Sequence, residues 1–220
     1  MSEHGVRVVC FDLGGVVVRI ARSWAEACAA AGVEDRSGES FHAPDLLSGR
    51  RELSDAYQIG DLACEAYFER VAEQSAGLYT AEEIERVHRA WVFEPYPGVE
   101  ELVERLNAID GLITACLSNT NHSHWQDLQR ADAGRWSAPA IQKLHTRLVS
   151  HELRAVKPNA DIYQLAEGRF GASGDQIVFF DDLAENVEAA CARGWRAFQI
   201  DHEADTAQQM TGHLARLGVL

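Results

Sequence analysis

Residues 6–15 read Val-Arg-Val-Val-Cys-Phe-Asp-Leu-Gly-Gly, and this stretch decides the fold. A β-branched and aromatic run breaks at Asp12 into a glycine turn, the pattern of a buried strand whose carboxyl end carries an exposed acid. Open α/β sheets place their chemistry at such strand ends. Working outward, strand-like runs recur at 112–117, 177–180 and 196–200, with helical patterns such as PGVEELVERLNA (97–108) and DLAENVEAACARG (182–194) between them. Alternation of this kind predicts an α/β fold, a doubly wound parallel sheet covered by helices. Pro97 and Asp110–Gly111 are ordinary start and stop signals for the helix near 97–108. TAQQMTGHLARLGVL (206–220) reads as a last covering helix.

The stretch from about 20 to 93 differs. SWAEACAAAG (23–32), LSDAYQIGDLACEAYFERVAEQ (53–74) and TAEEIERVHRAWVF (80–93) are amphipathic helical patterns, and no convincing strand lies among them. The expected organisation is an α/β core of residues 1–19 and 94–220 with a small helical bundle, 20–93, inserted after the first strand. Pro95 and Pro97 mark the return to the sheet.

Composition narrows the partners. A chain of 220 residues with a formal net charge of −14 repels nucleic acid and anionic membrane, and an anionic substrate needs a local positive centre. Cysteines at 10, 28, 64, 116 and 191 are scattered without metal-ligand spacing, which suits a reducing cytoplasm. No apolar run reaches the roughly 18 residues of a membrane span, and no N-terminal leader pattern is present. A soluble, unprocessed cytoplasmic monomer or homodimer is expected.

Three further segments join FDLGGVVV (11–18): LSNTN (117–121), VKPNADIY (156–163) and VFFDD (178–182). In order, spacing and strand-end position this set resembles the haloacid dehalogenase superfamily over nearly the whole chain. Each motif alone is weak; an aspartate after a strand is more often a cap or turn residue, and paired acids after a strand often cap the next helix. The ordered set is specific.

The resemblance implies a Mg²⁺-dependent phosphatase acting on a small phosphorylated metabolite. Asp12 is the candidate nucleophile on phosphorus, forming an aspartyl phosphate that splits one hard displacement into two easier ones. Because two anions repel, the attack needs a divalent cation on oxygen ligands. The resemblance assigns these to Asp12, Asp182 and the Gly14 carbonyl, with Asp181 either behind them or itself a ligand. Lysine occurs only at 143 and 157, so Lys157 before a proline is the candidate positive centre. Ser118 and the backbone amide of Asn119 are candidate phosphoryl donors. Asn186 either hydrogen-bonds the metal's water shell or lies on a helix surface. His124, His42, Trp24 and Trp125 are weaker candidates for the substrate side, and Arg50 and Arg51 read better as a solvated pair than as an anion site.

The sequence also departs from the pattern. Most phosphatases of the superfamily carry a general acid two residues after the nucleophile, a group contributing roughly 10²–10⁴-fold; here that position is Gly14. A metal-free 2-haloacid dehalogenase lacks the acid too, but has little use for Asp181 and Asp182. Phosphonoacetaldehyde-type cleavage needs a cap lysine, and residues 17–95 contain none. A binding protein that lost turnover is the remaining alternative. FDLGGVVV, LSNTN followed by His124 and Trp125, and VKPNADIY with VFFDDLAEN resemble the bacterial branch typified by α-D-glucose-1-phosphate phosphatase. That branch also has glycine at this position, and an anomeric leaving oxygen needs less protonation. Gln58 and Arg154 depart from the branch, at positions where glutamate and glycine are usual.

Overall fold

The computed structural model describes residues 5–38, 44–129 and 138–220. Five parallel strands form the central sheet: β1 (Val8–Phe11), β4 (Ile113–Ser118), β5 (Thr146–Val149), β6 (Ile177–Asp181) and β7 (Arg196–Gln199), in spatial order β5-β4-β1-β6-β7. The order reverses on passing from β1 to β6, and both strands point their carboxyl ends to the same edge. The α/β expectation therefore holds. The edge strand β5, Thr-Arg-Leu-Val, is one the sequence pattern does not announce, because only its last two residues are buried.

Side chains alternate across the sheet. Val9, Phe11, Val178 and Phe180 enter one apolar layer; Val8, Cys10, Ile177 and Phe179 enter the other. Burial of both faces explains why β1 and β6 read as continuous hydrophobic runs. The first layer is covered by α5 (Val99–Asn107), α6 (His122–Gln129), α7 (Pro139–Lys143) and α11 (Thr206–Arg216), the last contributing Met210 and Leu214. The second is covered by α9 (Ala160–Phe170) and α10 (Ala184–Ala192), with Tyr163 and Trp195 edge-on to each other. The single-turn helix α8 (Ser150–Leu153) follows β5.

Between residues 20 and 92 the chain runs through four helices: α1 (Trp24–Ala31), α2 (Pro44–Gln58), α3 (Cys64–Gln74) and α4 (Ala81–Arg89). They have an apolar cluster of their own, including Cys28, Phe68, Val71, Ile84 and Val87. Local signals start and stop them: Ser23 caps α1, Gly32 ends it at φ +64°, and Thr80 with Glu83 forms a capping box on α4. The excursion does contain strand. It leaves and returns through an antiparallel ribbon, β2 (Val18–Ile20) with β3 (Val92–Pro95), which straddles the boundaries expected near residues 20 and 93.

The turn between α2 and α3 rests on α8. Gly60 takes φ +78°, and a Cβ there would stand 2.8 Å from the His151 carbonyl oxygen. Beside it Asp61 pairs with Arg154. Arg154 itself sits at φ +55°, a left-handed conformation that explains why glycine is usual at this place in the motif. Among the described residues, no helix is long and apolar enough to cross a membrane.

Candidate active site

Asp12 stands at the end of β1, its backbone N–H still in the sheet ladder with Phe180 O at 2.8 Å. The chain then turns back, the amides of Val17 and Val18 both donating to Leu13 O at 2.9 Å. Gly15 makes the turn possible twice over. Its φ is +79°, and a Cβ would overlap the Asp182 carboxylate and the Arg22 guanidinium. Asp12 is buried rather than exposed, at 8% of its free surface, because the neighbouring strands and Lys157 enclose it.

Lys157 is the hinge of the electrostatics. Its side chain is 1% exposed and its ammonium bridges Asp12 Oδ1 at 2.9 Å and Asp181 Oδ2 at 2.6 Å. Asn119 fixes the lysine's backbone in both directions: Nδ2 donates to Lys157 O and Oδ1 accepts from Lys157 N, each at 2.8 Å. Asp181 is completely buried and occupied on both oxygens, taking hydrogen bonds from Leu183 N at 2.9 Å and from Asn186 Nδ2 at 3.0 and 3.1 Å. Asn186 is thus buried, not on a helix surface. Asp182 faces the other way, and its Oδ2 pairs with Arg22 Nη1 at 2.7 Å.

Ligand atoms of Asp12, Asp181 and Asp182 lie within 4.8 Å of one another, all three residues buried. Hard carboxylate oxygens at this spacing fit Mg²⁺. Burial pushes the Asp12 carboxyl up to about 6, with Asp181 and Asp182 adding to the rise and Lys157 opposing it. Burial alone would lower the Lys157 ammonium, but Asp12 and Asp181 reverse this and hold it above its usual range. Lys143, by contrast, lies at the surface against Glu100 and Glu104. Cys116 is pushed up to about 12 by burial, so it packs as a neutral thiol.

Ser118 ends β4, buried at 3%, two positions beyond the pairing of Phe11 with Cys116. Its neighbourhood is braced by Ser150, which donates to Thr120 O and accepts from Thr120 N. Gly14 bridges to Val18, and a Cβ on it would meet Ile20 Cδ1 at 3.1 Å. The space above Gly14 is therefore apolar.

The weaker candidates that the structure describes have partners of their own. His124 stacks on His88 of α4 at 4.0 Å and 7°, with Nε2 against His88 O and Nδ1 against Asn121. Both its ring nitrogens are engaged, and burial lowers both imidazoles, that of His88 well below its usual value. Trp125 packs in the core and Trp24 edge-on against Tyr79. Arg51 is exposed on α2 and Gln58 hydrogen-bonds Ser54; His42 lies outside the described residues. A cavity of about 360 Å³ opens beside Asp182, lined by Gln199, Asp201, His202 and Gln209. Another, of about 460 Å³ between α3, α4 and α6, includes none of the three acids. Arg22 had no motif to announce it, and Asn119, although part of LSNTN, gave no sign that its side chain clamps the lysine.

The family model described as haloacid dehalogenase-like hydrolase matches residues 6–192. The chain belongs to this family. A segment of 73 residues is 34% identical to a phosphatase of Mycobacterium tuberculosis, covering 33% of this chain and about a third, 34%, of that protein's length. Among solved structures, a haloacid dehalogenase family enzyme of Bacteroides thetaiotaomicron superposes with TM-score 0.75 at 17% identity, over 94% of this chain and 98% of that one. L-2-haloacid dehalogenase of Xanthobacter autotrophicus, with chloropropionic acid covalently bound, superposes with TM-score 0.61 at 18% identity, over 98% and 84%. At these identities the likeness is one of fold. The haloacid dehalogenase-like core accounts for the central sheet, and the activity has to be argued from the site.

Proposed function

We propose that this hydrolase is a Mg²⁺-dependent phosphatase of small phosphomonoesters, working through an aspartyl phosphate on Asp12. The observation that carries the reading is the convergence of three buried carboxylates on one buried lysine. Against Lys157 and Arg22 the three acids leave one negative charge uncompensated, an arrangement that favours a divalent cation and gives a metal-free dehalogenase no use for it. A structural relative of B. thetaiotaomicron, 16% identical with TM-score 0.72 over 93% of this chain and 98% of that one, was crystallised with magnesium and inorganic phosphate.

Asp12, Asp182 and the Gly14 carbonyl would hold the ion, and Asp181, saturated by Lys157, Leu183 and Asn186, would brace the site from behind. The bound cation supplies neutralisation of phosphoryl charge. Lys157 keeps Asp12 ionised and aimed, and Asn119 keeps Lys157 in place. The Asp12 carboxylate attacks phosphorus, the ester oxygen leaves with its electron pair, and Ser118 donates to a phosphoryl oxygen. Water then cleaves the acyl phosphate.

Gly14 supplies no proton donor, and Ile20, whose Cδ1 would stand 3.1 Å from a Cβ there, makes its surroundings apolar, which supports a substrate whose leaving oxygen needs little help, such as a sugar-1-phosphate. Helices α1–α4, residues 20–93, would act as the cap that excludes bulk water and selects the ester. The test is phosphate release from sugar phosphates, nucleotides and an aryl phosphate, with Mg²⁺ and with EDTA, beside Asp12→Asn. Metal-dependent release lost in the variant is expected. Halide release from 2-haloacids in EDTA would overturn the reading.

A further inference from the structure

Asp182 makes its ion pair neither with Lys157 nor within the core, but with Arg22, 160 residues away in sequence. Arg22 stands two residues after β2, where the chain leaves the ribbon for α1. Its own backbone N–H donates to Glu26 Oε2 at 2.7 Å, and Ser23 Oγ accepts from Glu26 N at 3.1 Å, so the residue is tied to the first turn of α1. The pair is built rather than incidental, since both of its side chains occupy the space that the missing Cβ of Gly15 leaves open.

The two partners are unequally buried. The Asp182 side chain is 4% exposed and that of Arg22 is 33% exposed. The acid is largely withdrawn from solvent, whereas the guanidinium can move outward without being desolvated. An ionised carboxylate in this position needs a positive partner, and Lys157 is already committed to Asp12 and Asp181. A guanidinium 2.7 Å from Asp182 Oδ2 also repels a divalent ion entering beside Asp182.

We propose that Arg22 is an exchangeable counter-ion: it neutralises Asp182 while the site lacks a cation, and a divalent cation must displace it to bind. This rests on the metal-dependent reading above. Displacement unties the junction between β2 and α1 from the core, so loading the site with metal loosens the entrance to the four-helix segment. It also turns a guanidinium loose at the solvent side of the acids, where an anionic ester arrives.

The test uses Mg²⁺ alone, by titration calorimetry on the whole protein without substrate. Arg22→Gln is expected to bind Mg²⁺ roughly tenfold tighter than the native chain, the weight of one charge-assisted contact. Arg22→Lys should fall between them, and Asp182→Asn should bind weakly whatever stands at 22. Equal or weaker binding by a folded Arg22→Gln overturns the exchange and leaves the phosphatase reading intact. No binding by either protein overturns both. Should Arg22→Gln fail to fold, amide exchange in the native protein decides: Mg²⁺ should speed exchange over residues 21–27 while slowing it over 12–15. Unchanged exchange over 21–27 would refute the proposal.

Discussion

Replacing Lys157 by methionine keeps most of the side chain's volume and removes its charge. In the native protein that charge sits within 2.9 Å of two carboxylates, with the lysine side chain 1% and Asp181 0% exposed. Without it, Asp12 and Asp181 face each other in a dry site. They can stay ionised at several kcal/mol each, or take up a proton. Protonating a carboxyl of ordinary pKa near 4 costs about 5 kcal/mol at pH 7.5 and only about 1.5 kcal/mol at pH 5. The cheaper route sets the ceiling, so the variant should lose about 3–5 kcal/mol of stability at pH 7.5 and about 1–2 kcal/mol at pH 5. The direction follows from linkage. In the variant Asp12, already raised by burial, loses the lysine that opposes the rise; its folded-state pKa stands above the unfolded one, so the stability it contributes is full below the unfolded pKa and lost as pH rises through the folded one. Urea unfolding in EDTA at both pH values, followed by tryptophan fluorescence, measures it. A loss of the same size at pH 5 and pH 7.5 would refute the electrostatic account and point to packing instead. Mg²⁺ should also stabilise the variant more than the native chain, since it restores positive charge to the same acids.

Asp12, raised to about 6, gives activity and stability opposite signs. Mg²⁺ affinity and kcat/KM should fall as pH drops below about 6, because the protonated carboxyl neither attacks nor ligates. The metal-free protein should gain up to about 3 kcal/mol from this group over the same descent, as its folded pKa lies above the unfolded one; a pH titration of urea stability in EDTA that shows no such contribution would count against the assignment. Asn119→Ala removes both hydrogen bonds to the Lys157 backbone and should cost about 1–3 kcal/mol and 10- to 100-fold in kcat, whereas native kcat would show that the lysine holds itself. Gly14→Asp should not accelerate hydrolysis of an alkyl phosphate, because Ile20 crowds the new side chain. Paired with Ile20→Ala it should gain up to about 10²-fold, and acceleration by the single change would mean the apolar wall is no obstacle.

Much of this was legible in the chain. β1, β4 and β6 are buried on both faces, so their apolar runs needed no partner to be recognised, and Asp12, Ser118 and Asp181 at their carboxyl ends arrive at one edge by topology alone, whereas Lys157 reaches it from the loop after α8. β5 was hidden because an edge strand of four residues with two polar positions has no distinct period. β2 and β3 were hidden for a related reason: three- and four-residue strands that pair only with each other carry too few apolar positions to stand out beside helical patterns. Arg22 could not be read at all, since its role comes from a contact across 160 residues and from the missing side chain of Gly15. His124 is readable only in part: its place after LSNTN suggests the substrate side, while its stacking on His88 has no signal in the sequence.

The ribbon through which the four helices join the sheet has a consequence for descent. Val18 lies opposite Pro95 and Ile20 opposite Val92, so the two ends of a long excursion are fastened side by side. The turn that follows Asp12 is thereby insulated from whatever is spliced between them. Closing a longer or shorter segment onto the same ribbon changes the chain entropy by only about 0.6 kcal/mol per doubling of length. The inserted helices can thus be lengthened, shortened or traded wholesale across lineages, while the turn at Asp12 beneath them stays fixed.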